Sequence, residues 1–362
     1  MDNEKLYFNA FNQFPEIGSV RFRRLLNFFP DLETAWQAGL SDLKQAGLEE
    51  PVALKVLEAR QSINPESEFE KLRSHGVSLL TYNDAAYPKL LREIPAPPMV
   101  LYTRGELKSQ DELAVAIVGT RKMSPYGKRV SEDLVAGLLG TQISIVSGLA
   151  LGIDALVHDA TMRFGGRTIA VLACGLDSIY PAANRLLGEK IIDGNGALLS
   201  ELPLGMPPLK HHFPHRNRII AGLALGTVVI EAAADSGALI TAQHALEQNR
   251  QVFAVPGSIY SPVSAGPNNL IKMGAKPVTQ ALDILEDLNL MGAGVRLEAR
   301  EIIAENSEEQ KILDILSAEP LHFDQIAKIA QLSVSLVAAT LTIMEMKGKV
   351  RNLGGNQYVV GR

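Results

Sequence analysis

Cysteine is nearly absent from this 362-residue chain. Cys174 stands alone, which excludes intrachain disulfides and thiolate zinc clusters and fits a reducing compartment. Positive charge is also scarce: 35 Lys and Arg against 40 Asp and Glu leave a net charge of −5, so no uniform basic coat for nucleic acid exists. Any anion site must be a local patch made by folding. Long apolar runs are missing too. The longest, Ile219 to Ile230, is too short to span a bilayer and ends at Glu231. The start, MDNEKLYFNAF, has neither the basic beginning nor the apolar stretch of a secretory signal, so a soluble, cytoplasmic protein without a membrane partner is expected. Two phosphate-binding signatures are lacking as well. Without GxxxxGK[ST] there is no Walker loop, and GxGxxG in usable form is absent, which argues against a dinucleotide enzyme.

What is present is a change of texture along the chain. Residues 1–76 read as a small helical domain of the sterile-alpha-motif or helix-hairpin-helix type, with breaks at Gly18 and Gly47. From Val77 the pattern turns to strands. VSLLTY and MVLYTRG flank YPKLLREIPAPP, whose prolines end any helix after Glu93. Six apolar, β-branched runs follow, each trailed by a helical pattern: AVAIVGT, ISIVSGLA, TIAVLACG, ALLSELP, GTVVIEAA and QVFAVPG. Continuous apolar strands alternating with helices predict an α/β fold, a Rossmann-like doubly wound, mostly parallel sheet, over 77–288. Residues 289–307 read as a linker, and 308–362, three helices and two strands around Gly354-Gly355, as a winged-helix-like domain.

In an open parallel sheet, ligands bind beyond the carboxyl ends of the strands. The first such turn carries Gly119, Thr120 and Arg121 ahead of a helix beginning near Ser124. A second carries Ser147 and Gly148, and a third Ser236, Gly237 and Thr241. Small residues, hydroxyls and helix N-termini favour anions, and the three turns together suggest a phosphate cradle.

The densest cationic stretch is KHHFPHRNR, Lys210 to Arg218. A metal site there is disfavoured: His211 and His212 are adjacent, Pro214 intervenes before His215, and no HExxH spacing occurs. Lys210, Arg216, Asn217 and Arg218 instead suit phosphate oxygens, and Phe213 offers a face for a base. The expectation is a phosphate handle aimed at the sheet edge that holds Arg121.

Together, GTRKMSPYG, SGLALGIDALVH, FPHRNRIIAGL, VIEAAADSGALITA, VFAVPGS and GPNNLIKMGA resemble the DNA-processing protein A family, DprA or Smf, over about Tyr82 to Leu288. The resemblance implies a non-catalytic binder of single-stranded DNA, indifferent to sequence, that works as a homodimer. It further implies protection of incoming DNA and its delivery to the RecA recombinase during natural transformation, with no cofactor. The family's Gly-Ser-Arg turn falls on Gly119, Thr120 and Arg121, with Thr keeping the hydroxyl; its basic-aromatic segment falls on Lys210, Phe213, Arg216, Asn217 and Arg218; its Ser-Gly-x-x-x-Thr turn falls on Ser236, Gly237 and Thr241. The tail's third helix is mostly apolar and offers little to base edges, so Lys347, Lys349 and Arg351 suggest at most backbone contacts beside a protein-contact role.

The competing reading is a Rossmann-like enzyme acting on nucleoside monophosphates, resembling the phosphoribohydrolases, with Glu231 as its acid. Against it, the PGGxGTxxE signature of those enzymes is missing, and the acid precedes the glycine in VVIEAAADSG.

Overall fold

In the computed structural model, nine strands lie in the order β1-β2-β6-β5-β4-β3-β7-β8-β9. They are β1 (Ser78–Thr81), β2 (Val100–Gly105), β3 (Ala114–Val118), β4 (Ser144–Ser147), β5 (Arg167–Val171), β6 (Gly196–Ser200), β7 (Gly226–Val229), β8 (Gln251–Ala254) and β9 (Lys276–Pro277). The structure describes residues 3–140, 142–290, 307–316, 321–346, 349–352 and 357–360. The expected linker therefore lies almost wholly outside the described residues.

From β6 to β9 every neighbouring pair is parallel. Only the β1–β2 and β2–β6 pairs are antiparallel. Strands β3 to β6 build outward in one direction, and β7 then returns to the other side of β3. The switch point of the sheet thus lies between β3 and β7, where the carboxyl ends leave an open crevice.

The apolar runs form strands because both faces are covered. In β3, Val115 and Ile117 enter one core with α8 (Pro125–Leu139), α9 (Ile153–Arg163) and α14 (Ala281–Asp287). Ala114, Ala116 and Val118 enter the opposite core with α7 (Lys89–Arg92), α11 (His212–Gly222), α12 (Gly237–Glu247) and α13 (Ala265–Lys272). Alternation places successive side chains on opposite faces, so a strand covered twice must be apolar throughout.

Six helices precede the sheet: α1 (Asn3–Phe11), α2 (Ser19–Phe28), α3 (Leu32–Gln37), α4 (Leu40–Gln45), α5 (Glu50–Ala59) and α6 (Pro65–Ser74). Phe8 stacks on Phe22, and Phe11 meets Trp36 edge-on, in their interior. That interior is continuous with Tyr102, Ala170, Leu198 and the flank of α10 (Arg185–Asp193). Helices and sheet consequently form one compact unit, residues 1–295. The change at residue 77 is one of architecture, without a break in the core.

Residues 296–362 make a second unit. It contains α15 (Ser307–Ile315), α16 (Phe323–Ala330), α17 (Val334–Met346) and a small sheet of β10 (Leu321–His322), β12 (Gln357–Val360) and β11 (Val350–Asn352) in that order. Val337, Leu341 and Met344 of α17 pack on Ile312, Ile326 and Val350, which accounts for the apolar character of this helix. Lys349 pairs with Glu309 at 2.7 Å, while Lys347, Gly354 and Gly355 lie outside the described residues and only the backbone of Arg351 is described. Among the described residues no single helix is long and apolar enough to cross a membrane.

Candidate nucleic-acid interface

The turns after β3, β4 and β7 meet at the carboxyl edge. They are locked together by their own backbone before any ligand is considered. The amide of Thr120 donates to the carbonyl of Glu231 at 2.6 Å, and that of Ile153 to the carbonyl of Thr120 at 3.2 Å. Gly152 sits between them at φ +80°, and a Cβ there would stand 2.3 Å from the Thr120 carbonyl oxygen. Only glycine combines that backbone angle with so close an approach.

Two internal carboxylates occupy much of the donor capacity that a phosphate would use. Glu231, 2% exposed, takes the amide of Ser124 at 2.9 Å and its hydroxyl at the start of α8. The favourable N-terminal end of that helix is thereby matched by the protein's own charge. Asp154 is buried and accepts from the Gly148 amide at 3.2 Å. Burial pushes its pKa up, against the opposing pull of Arg216 and the backbone amides of Ala150, Gly148 and Gly119.

Arg216 is 6% exposed. One guanidinium nitrogen donates to the Gly148 carbonyl at 2.8 Å and also to the Val171 carbonyl. Burial lowers its pKa to about 10, with Asp154 acting the other way, so it remains a cation at neutral pH. A Cβ on Gly148 would lie within 2.9 Å of three guanidinium atoms, so glycine there makes room for this group. His158 stands nearby with no exposed surface; its Nδ1 meets the Thr168 hydroxyl at 2.6 Å, and its Nε2 has no partner. Burial first, then Arg216, push its pKa down to about 3.

This geometry differs from the expected phosphate handle in one respect. Helix α11 begins at His212, so Arg216, Asn217 and Arg218 lie inside it and fan out by about 100° per residue. They face three different environments. Arg216 enters the core, Asn217 bridges from the Arg216 Nε to the Gly237 carbonyl at 3.2 Å on each side, and Arg218 pairs with Glu201. Phe213, one turn before Arg216, returns to the same face. Its ring lies 5.9 Å below the Arg216 guanidinium, 5.7 Å from that of Arg121, and edge-on to Tyr180 at 5.8 Å.

Arg121 and Lys210 are exposed, as is Lys122. Thr120 accepts the Lys122 amide at 3.2 Å, Gly119 is half-buried, and Ser147 is buried with its hydroxyl on the Ile117 carbonyl at 2.7 Å. Ser236 caps α12 through Ala238 at 3.3 Å, Gly237 is exposed, and Thr241 is buried. At the carboxyl edge, then, the structure gathers a cation–aromatic cluster of Arg121, Phe213 and Tyr180. Lys210 and Lys122 add free charge in the flanking turns. Among the described residues no group of three His, Cys, Asp or Glu side chains is placed to hold a metal.

Sequence reasoning missed Tyr180, Asp154 and His158. Tyr180 follows β5, where a search of every strand's carboxyl end reaches it. The two buried groups fall on α9, one turn apart, and the sequence offers only their four-residue spacing as a signal.

Residues 78–289 match the profile of the DNA recombination-mediator protein A family, and residues 296–356 match the DprA winged helix domain. This chain belongs to the DprA family. Protein Smf of Synechocystis is 36% identical over 99% of both chains. The crystal structure of DprA from Streptococcus pneumoniae superposes with a TM-score of 0.68 at 36% identity, covering 79% of this chain and 98% of that one. A DprA structure from Helicobacter pylori, described for its single-stranded DNA binding mode, gives a TM-score of 0.53 at 31% identity over 59% of this chain and 95% of that one. The doubly wound core, the DNA-processing assignment and the winged helix are therefore common to this chain and its DprA relatives.

Proposed function

We propose that this DprA-family chain is a non-catalytic, sequence-indifferent binder of single-stranded DNA. It acts as a cytoplasmic homodimer that protects incoming strands and loads RecA recombinase on them during natural transformation. The observation that carries the reading is the platform: an aromatic ring with one face near a free arginine, at the switch point of an open sheet, in a net acidic chain. A base stacks on Phe213 and Tyr180 while Arg121, Lys210 and Lys122 neutralise the adjoining phosphates; stacking is tolerant of base identity. Gly119, Thr120, Ser236 and Gly237 bring backbone close to the strand. Ser147, Gly148, Thr241, Arg216, Asn217 and Arg218 hold those turns in place from beneath.

The phosphoribohydrolase-like alternative is not favoured, because the Glu231 carboxylate is buried on Ser124 and a Cβ on Gly127 would lie 2.2 Å from its Oε2. The test is binding to labelled homopolymer and mixed-sequence oligonucleotides, single- and double-stranded, at fixed salt, followed by RecA filament growth with and without the protein. Tight single-strand binding with little dependence on sequence, and faster filament growth, are expected. Preference for duplex, or release of base from nucleoside monophosphates, would overturn the proposal.

A further inference from the structure

The turn after β8 carries a feature that the platform does not use. In Val255–Val263, VPGSIYSPV, Ile259 is 82% exposed and Tyr260 is 90% exposed, although the loop contains no charged residue. Among the exposed large hydrophobic side chains of the described residues these two are the most exposed, and they are adjacent in sequence.

The loop is held firmly. Asn268 bonds both the amide and the carbonyl of Gly257, at 3.2 and 3.0 Å. The Ser261 amide donates to the Ser258 carbonyl at 3.0 Å, and the Ser258 hydroxyl accepts the Tyr260 amide at 3.3 Å. The Ala232 amide donates to the Val263 carbonyl at 2.7 Å, tying the loop to the turn after β7. Its apolar tip is therefore fixed in an exposed position.

Its place in the sheet suggests what it meets. All strands from β6 to β9 run parallel, so this loop leaves the same edge as Arg121 and Phe213. Tyr126, 48% exposed at the start of α8, joins the two regions through its hydroxyl bond to the Pro256 carbonyl at 2.7 Å. Two strand intervals separate the end of β3, which leads to Arg121, from that of β8, about 10 Å at about 4.8 Å each, and four separate the end of β5 from that of β8, about 19 Å. Strands of about three to six nucleotides at 3.4 Å spacing cover those distances, and fewer do so if extended. In the other direction, the cleft beside Tyr82 is lined by Glu4, Asp31 and Glu33 against one cation, Arg23, a net negative lining that disfavours phosphates. Toward β8 the exposed acid on the adjoining turn is Asp235, and the neutral Ile259–Tyr260 tip offers contact to bases instead of phosphates.

We propose that Ile259 and Tyr260 form a second base-stacking station, which engages single-stranded DNA several nucleotides along from the Arg121–Phe213 platform, with Tyr126 between them. This rests on the single-stranded DNA reading above. The test uses the full chain, fluorescein-labelled oligothymidylates of 4, 6, 8, 12 and 20 nucleotides, and the variants Tyr260→Ala, Tyr260→Phe and Ile259→Ser. These side chains are exposed, so the substitutions leave the fold intact. For the 20-mer, Tyr260→Ala is expected to weaken binding by about tenfold, the effect of losing one stacked base at roughly 1–3 kcal/mol. The loss should shrink as the strand shortens, with the 4-mer least affected, and Tyr260→Phe should bind like wild type. A 5-iodouracil placed along the 20-mer should crosslink to Tyr260 at one end of the bound stretch.

Three outcomes overturn the proposal: unchanged affinity for the 20-mer, equal losses on short and long strands, or a drop in the protein's solution mass without a length-dependent loss. The last would make the tip a contact for a second copy of the chain. If wild type binds none of the oligonucleotides, the function proposed above falls first, and this inference with it.

Discussion

Replacing Arg216 by Met separates a positioning role from a phosphate contact. The substitution keeps an unbranched side chain of similar length but removes the guanidinium from the Gly148 and Val171 carbonyls. It also leaves Asp154 buried without its counter-charge. Each buried polar group left without its partner costs about 1–3 kcal/mol. Domains of 150–250 residues lose about 2–4 °C per kcal/mol and larger units less, so Tm of the 1–295 unit should fall by a few degrees. Asp154→Asn on the Arg216→Met background should recover part of the loss, because it discharges the stranded carboxylate. The assay is thermal unfolding of the two single variants and the double variant, with the coupling taken as a double-mutant cycle. In parallel, the salt dependence of single-stranded DNA binding is measured below the variant's Tm. A buried arginine neutralises no phosphate, so the slope of log affinity against log salt should stay as in wild type. A variant that unfolds like wild type while losing about 0.7 of that slope would refute the reasoning and make Arg216 a direct phosphate ligand.

Three further expectations follow from the same geometry. Phe213→Ala should weaken binding to every single-stranded sequence alike, by about 1–3 kcal/mol, read by anisotropy with several homopolymers; loss confined to one base would contradict stacking. Gly152→Ala should destabilise by more than 1 kcal/mol in chemical denaturation, because φ +80° and the Thr120 carbonyl at 2.3 Å leave a Cβ no room. His158 is held near pKa 3 when folded, against about 6.5 unfolded, so unfolding takes up a proton between those values. The stability it supports is present above pH 6.5 and falls by up to about 1.4 kcal/mol per pH unit as pH drops toward 3. His158→Leu should flatten that part of the pH profile in urea titrations, whereas an unchanged slope would mean the imidazole is not buried neutral.

The architecture was legible because continuous β-branched runs alternate with helices, a pattern that only a doubly covered parallel sheet accommodates. The open carboxyl edge of the sheet was legible for the same reason, since it lies where those strands end. The direction of each side chain on α11 was not. Arg216, Asn217 and Arg218 read as one cationic cluster in sequence, but helical geometry sends them to the core, to Gly237 and to Glu201. The glycine-rich turns likewise suggested a phosphate cradle, and the structure shows the Gly148 and Ser124 amides turned toward Asp154 and Glu231, whose burial no local pattern announces. The association of the helical region with the sheet arises from long-range aromatic and aliphatic packing around Phe11, Trp36 and Tyr102, which sequence spacing does not encode.

The central claim is that charge reaches DNA through the exposed cations at the carboxyl edge of an acidic protein. The most direct measurement is the affinity for a single-stranded 20-mer across a salt series, for wild type and Arg121→Ala. The account predicts a steep fall for wild type and a slope shallower by about 0.7 for the variant, with unchanged Tm. Identical slopes, or affinity indifferent to salt in both proteins, would contradict it.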